Sequence, residues 1–251
     1  MIVITGPGRS GTSFLARLYR ELGFDPGGRW EPAVTAGLEA GDVVQMNLAL
    51  AEELGVSIRE RRGGRMLKFL GTAVRRGEGR VPAGLRRPFA SAVDVLRYRK
   101  VGPDLMRWEA IAGVVERHGE ELRALAKQRT VVKDPRFCWT LRAWLGSGVP
   151  VEALVLTFRP LDAMADSRVR VRMYSTRARD WGKHNYCYGL GLVLTAAAEH
   201  RVPVVPLRFP DFLDRPDELY QALPFPEPRS WEEFSRAFAS VYDPGLVHDG
   251  R

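Results

Sequence analysis

The opening thirteen residues limit most tightly what this chain can fold into. The apolar run MIVIT leads into Gly6-Pro7-Gly8-Arg9-Ser10-Gly11-Thr12-Ser13, and apolar residues then recur at 14, 15, 18 and 22 before Gly23. A short apolar run entering glycine reads as a buried strand, and the spacing that follows reads as a helix over 11–23 with a glycine stop. A glycine-rich turn between a strand and a helix aims backbone N–H groups at an anion, and the helix dipole favours negative charge there. The phosphate-loop pattern is GxxxxGK[ST]. Gly6, Gly11 and Ser13 stand in that frame, but Thr12 occupies the place of the lysine that ordinarily reaches the β- and γ-phosphates. Its absence argues against ordinary ATP or GTP hydrolysis. The cation has moved to Arg9, inside the loop. The turn reads as a phosphate cradle that works without magnesium, the bland alternative being a tight glycine turn with no ligand.

Further along, strand-like and helix-like stretches alternate. The pattern predicts helices over 42–54, with Asp42 as N-cap, and over 103–128, then a strand at 129–134 (RTVVKD) closed by Pro135. The continuous apolar run 151–158 (VEALVLTF) suits a strand buried on both faces. Helices are expected at 161–173 and 187–200, and short ones near 215–223 and 231–240. The run 202–207 (VPVVPL) holds two prolines, which puts a strand there near a sheet edge. Alternating strands and helices predict an α/β fold: a central parallel sheet flanked by helices, of the phosphate-loop nucleotide-binding type. No internal repeat or linker divides the 251 residues, so a single domain is expected, with a variable insertion or lid at about 56–102.

Charge marks that insertion. The chain carries a net +8, yet residues 59–100 alone hold 13 basic and three acidic side chains, a net +10, and the remainder is slightly acidic. A solvated basic surface, an anionic substrate, a membrane surface and nucleic acid all fit such a segment. Among its 42 residues only Phe69, Phe89 and Tyr98 are aromatic, fewer than nucleic-acid modules interleave with their cations, so no nucleic-acid partner is expected. No run of about 18 apolar residues predicts a membrane span, and the N-terminus carries no basic leader ahead of its apolar run. Two cysteines, Cys138 and Cys187, make neither a disulfide framework nor a zinc site. These features point to a cytoplasmic protein.

The loop GRSGTS, Gly8 to Ser13, resembles the phosphosulfate-binding loop of sulfotransferases that use 3′-phosphoadenylyl sulfate (PAPS). A second segment strengthens the resemblance: in LVLTFRPLDAMADSRV, residues 154–169, Arg159 ends a strand and Ser167 follows eight residues later on the next helix. That is the arrangement of the family's 3′-phosphate site, where a planar donor fork and a helix-borne hydroxyl suit a phosphate. Lys133-Asp134-Pro135-Arg136 is similar to a KDP segment near the transferring group in protein-tyrosine and bacterial members. The stretch LRFPDFLDRPD, 207–217, is comparable to a weaker motif after the last strand. The resemblance spans residues 1–55 and 129–225. It implies transfer of a sulfuryl group from PAPS to a hydroxyl or amine of a small-molecule, glycan or peptide acceptor, with no metal. It also implies that Gly8, Arg9, Ser10, Gly11, Thr12 and Ser13 hold the 5′-phosphosulfate and that Arg159 and Ser167 hold the 3′-phosphate. The late GxxGxxK segment of cytosolic members is missing; Arg179-Asp180-Trp181-Gly182-Lys183 comes nearest.

Sulfuryl transfer needs a base for the acceptor proton, cations for the developing charge, and in-line positioning. Members use histidine or glutamate as base. None of the four histidines (118, 184, 200, 248) falls in 14–117, where the family's early histidine lies, which leaves a carboxylate. Members resembling the protein-tyrosine enzymes place a glutamate at a similar distance after the loop arginine, and that resemblance makes Glu31, 22 positions after Arg9 in GGRWEPA, the first candidate, flanked by Trp30 and Pro32, which could desolvate it. Glu39, Asp42 and His184 stand behind it. Arg9, at the 5′-phosphosulfate, and Lys133, one of five lysines against 33 arginines, at the bridging oxygen and sulfuryl group, are the expected catalytic cations. A plain salt bridge with Asp134 or a helix carboxylate is the alternative for Lys133. Phe14 or Trp181 could stack on adenine, though a core role suits Phe14 better. Two rivals stay open: a small-molecule kinase using Mg²⁺, ATP and Asp134, and a nucleic-acid-binding protein using 59–100.

Overall fold

The computed structural model describes residues 1–8, 10–31, 36–56, 108–170 and 179–243. Arg9 and the basic segment 59–100 lie outside the described residues. So do the side chains of Glu31 and Trp181.

The chain is α/β. Four parallel strands, β1 (Ile2–Thr5), β4 (Val131–Lys133), β5 (Ala153–Phe158) and β6 (Val204–Arg208), form a sheet in the order β4-β1-β5-β6. In register, Ile4 lies beside Lys133 and Val155, and Phe158 beside Arg208. A separate two-stranded antiparallel ribbon pairs β2 (Trp30–Glu31) with β3 (Ala36–Gly37). The helices are α1 (Thr12–Glu21), α2 (Gly41–Glu53), α3 (Trp108–Lys127), α4 (Phe137–Gly146), α5 (Leu161–Arg170), α6 (Arg179–Glu199), α7 (Pro216–Ala222) and α8 (Trp231–Val241).

Period-two alternation within the strands sorts the core into two layers. Ile2 and Ile4 of β1 join Val155 and Leu207 under α1, α7 and α8, with Leu15, Leu18, Phe234 and Phe238. Met1 and Val3 join Val132, Leu154 and Leu156 on the opposite face, under α2, α3, α4 and α6, with Leu50, Leu122, Trp144 and Ala197. Both faces are covered, which is why β1 and β5 read as continuous apolar runs. Pro206 sits in β6, an edge of the sheet as described, where a missing N–H disturbs no inner ladder.

Two expectations are corrected. Asp42 is not the N-cap of α2: Ala40 is, and Asp42 lies in the first turn, accepting from the Val43 N–H at 2.8 Å and pairing with Arg129. α6 begins at Arg179 rather than 187. Its first turns are tied down tertiarily, by Lys183 on Asp162 at 2.6 Å and by the Tyr186 hydroxyl against the Arg159 backbone. Phe14 packs edge-on against Phe238 and near Phe212, a core role. The two cysteines form no disulfide with each other, Cys138 being buried and Cys187 exposed. No described helix is long and apolar enough to cross a membrane.

Candidate active site

The C-terminal ends of the four parallel strands open on one edge of the sheet, where α/β sheets bind ligands. After β1 the chain turns through the glycine loop into α1. Gly6 is there because nothing larger fits: a Cβ would lie 2.3 Å from the Thr157 carbonyl oxygen and 2.4 Å from its Oγ1. Gly11 caps α1 with φ of 93°, in the left-handed region, and offers the helix end no side chain. Ser10 is buried, its Oγ 2.8 Å from Thr157 Oγ1 of β5, so the loop is bonded to the neighbouring strand. Thr12 is buried, whereas Gly8 and Ser13 are half-buried.

Lys133, the last residue of β4, is 1% exposed. Its ammonium donates to Glu39 Oε1 at 2.6 Å, to the Gly37 carbonyl at 3.1 Å and to Ser13 Oγ at 3.4 Å. β4 thus brings an ammonium to the side of the glycine loop, 3.4 Å from Ser13 Oγ. Among sequence alternatives for its partner, neither Asp134 nor a helix carboxylate holds it; Glu39 does.

Asp134, 0% exposed, is engaged by protein donors: Asn47 Nδ2 at 2.8 Å, and the Arg136 N–H and Nη1, each at 2.9 Å. Burial pushes its carboxyl above the ordinary range, against Arg136 and Asn47, which pull it down. Arg136 also reaches Glu39 Oε2 at 3.3 Å. Burial lowers the pKa of its guanidinium, but the Asp134 and Glu39 carboxylates outweigh that and leave it raised. Behind this pair, Asn47 Oδ1 accepts from Thr140 Oγ1 at 2.7 Å and Trp144 Nε1 at 2.8 Å.

Arg159, just past β5, is buried with its guanidinium carbon 5.3 Å from the centre of the Phe209 ring. A Cβ on Gly11 would lie 2.5 Å from the same ring. Phe209, immediately after β6, therefore packs on both the glycine loop and Arg159. Ser167 is buried on α5, which starts two residues after Arg159. The strand ends therefore bring together the described loop residues, Lys133 and Arg159. Glu31 is placed only by its backbone, in β2 opposite Ala36.

Sequence reasoning missed Asn47, Phe209 and the pairing of Glu39 with Lys133. The only signal for Asn47 was a polar residue amid the apolar positions of a helix; the other two arise from contacts far apart in the chain.

No protein-family model and no curated protein matches the chain. Among solved structures, it is similar to a sulfotransferase domain from the Synechococcus PCC 7002 olefin synthase, at 17% identity and a TM-score of 0.41, over 99% of this chain and 78% of that one. So loose a likeness leaves the function to be argued from the site.

Proposed function

We propose that the chain is a PAPS-dependent sulfotransferase acting on a hydroxyl or amine of a small-molecule, glycan or peptide acceptor. The observation that carries this reading is the character of the strand ends: cations at β4 and β5 beside a glycine loop, with the strand-end carboxylate Asp134 already engaged by Asn47 and Arg136. A phosphoryl-transfer site needs a carboxylate available to magnesium. An already activated sulfuryl donor needs fixed cations and N–H donors instead.

In this reading Gly8, Ser10, Gly11, Thr12 and Ser13 cradle the 5′-phosphosulfate with N–H and hydroxyl groups, and Arg9 adds charge. Arg159 and Ser167 hold the 3′-phosphate. Glu31 takes the acceptor proton, and the acceptor oxygen or nitrogen attacks sulfur in line. The bond from sulfur to the bridging oxygen breaks, and adenosine 3′,5′-bisphosphate (PAP) leaves with its new charge met by Lys133 and Arg9. The basic segment 59–100 steers an anionic acceptor or covers the donor.

Calorimetry with PAP and ATP, first in EDTA and then in Mg²⁺, tests this. Binding of PAP at about micromolar Kd in EDTA, with no ATP binding, is expected. ATP binding that requires Mg²⁺, without PAP binding, overturns the reading in favour of a kinase.

A further inference from the structure

Glu39 lies in the three-residue link between β3 and α2, and the chain holds it more firmly than a connecting segment requires. Leu38, just before it, is fully buried with φ of 60°, a left-handed conformation that costs a branched residue energy. Gly28 packs so closely beneath that a Cβ there would lie 2.2 Å from the Glu39 carbonyl oxygen and 2.7 Å from its nitrogen. A Cβ on Gly27 would fall 2.6 Å from the Ala40 Cβ. The backbone on either side of Glu39 is thus anchored in the core and wedged on a glycine pair. Its side chain stays 25% exposed toward the strand ends.

An ammonium has three protons, and Lys133 directs its three bonds to different acceptors. Glu39 and the Gly37 carbonyl take the two shorter bonds, at 2.6 and 3.1 Å, and both acceptors belong to the same short segment. The third and longest, 3.4 Å, runs to Ser13 at the start of α1, beside the glycine loop. An anion lying in the loop can take that third proton without disturbing the other two. We infer that Glu39 is a positioning residue: with Gly37 it holds two of the lysine's three bonds so that the remaining one is aimed at the group transferred in the glycine loop. Arg136, on the second oxygen of the same carboxylate, keeps Glu39 from rotating away. The inference rests on the sulfotransferase reading.

PAP lacks the sulfuryl group that PAPS carries, so the ratio of the two affinities reports the contact Lys133 makes to it. Calorimetry of both ligands on the intact chain and on E39Q, K133A and E39Q/K133A forms a double-mutant cycle. K133A is expected to lower the ratio of PAPS to PAP affinity about tenfold, and E39Q about fivefold, beyond whatever loss of PAP affinity each variant also shows. The double variant should fall no further than K133A, because Glu39 acts only through Lys133. E39D, which keeps the charge, should recover part of the loss. Thermal midpoints check that each variant folds, and K133Q replaces K133A where the shorter side chain does not. An unchanged or raised PAPS preference in E39Q, or additive losses in the double variant, overturns the inference while leaving the sulfotransferase reading in place. Failure of the unaltered chain to bind either ligand overturns that reading itself, and the inference with it.

Discussion

At the residue scale, the site depends on groups whose partners are fully committed. Asn47 donates to Asp134 and accepts from Thr140 and Trp144, all buried. Asn47→Ala leaves three polar groups short of a partner, and urea unfolding should show a loss of about 2–4 kcal/mol. Glycines in the loop differ sharply. Gly6→Ala drives a methyl into the Thr157 backbone and should cost about 1–3 kcal/mol and PAP binding with it. Gly8→Ala, whose Cβ meets no described residue within 4 Å, should be close to neutral in the same denaturation runs. Arg159→Ala should weaken PAP by about 1.5–3 kcal/mol, as for one charged hydrogen-bonding partner. Glu31→Gln should leave PAP affinity nearly unchanged and lower turnover of PAPS to PAP by about 10²-fold; normal turnover would remove Glu31 as the base. Arg9, Lys133 and Arg159 could be singled out along the chain because each stands within or just after a strand–turn motif. That Glu39 meets Lys133 could not, since 94 residues separate them.

Among the elements, helix ends are the most local feature. α1, α2 and α4 each finish with a positive-φ glycine followed by an apolar residue whose N–H bonds back five residues, as Phe24 does to Tyr19, Val56 to Ala51 and Val149 to Trp144. LGF, LGV and SGV mark those stops in the sequence. The start of α6 was not legible, because RDWGKHNY has no helical apolar period and its helix is held by contacts to Asp162 and Arg159. Helix pairing brings its own pH dependence. Glu53 near the end of α2 binds Arg117 and His118 of α3, each at 2.6 Å. Burial raises the Glu53 pKa, but His118 and Arg117 outweigh it and leave the carboxyl below 4.5. A depressed carboxylate contributes stability that is present above about pH 4.5 and is lost as pH falls through its folded value. Glu53→Gln should therefore flatten the acid limb of a stability-against-pH curve while changing little below it. Asp134 acts in the opposite sense: its folded pKa is raised, so the folded chain binds that proton more readily and falling pH relieves its burial.

For the whole molecule, the strand order places the candidate site. β4 and β5 flank β1 on opposite sides, so their ends converge on the loop that leaves β1. The basic segment 59–100 carries more than the entire net charge of the chain. Replacing it with a short neutral linker should leave PAP affinity within about threefold and alter which acceptors are used, because the residues proposed to hold the donor phosphates all lie elsewhere. A large loss of PAP affinity, seen by calorimetry, would instead make the segment part of the donor site. The α/β class and the glycine loop were legible in the sequence by itself, because a strand, a turn and a helix that follow one another need only local periodicity and backbone N–H groups. The order β4-β1-β5-β6 was not: strands buried on both faces all read as apolar runs, and nothing in such a run names its neighbour. Only the tertiary structure decided that Glu39 rather than Asp134 holds Lys133, that Asp134 turns to Asn47 and Arg136, and that Phe209 joins Arg159 to the loop. Each of these contacts exists because packing closes long stretches of chain onto one end of the sheet.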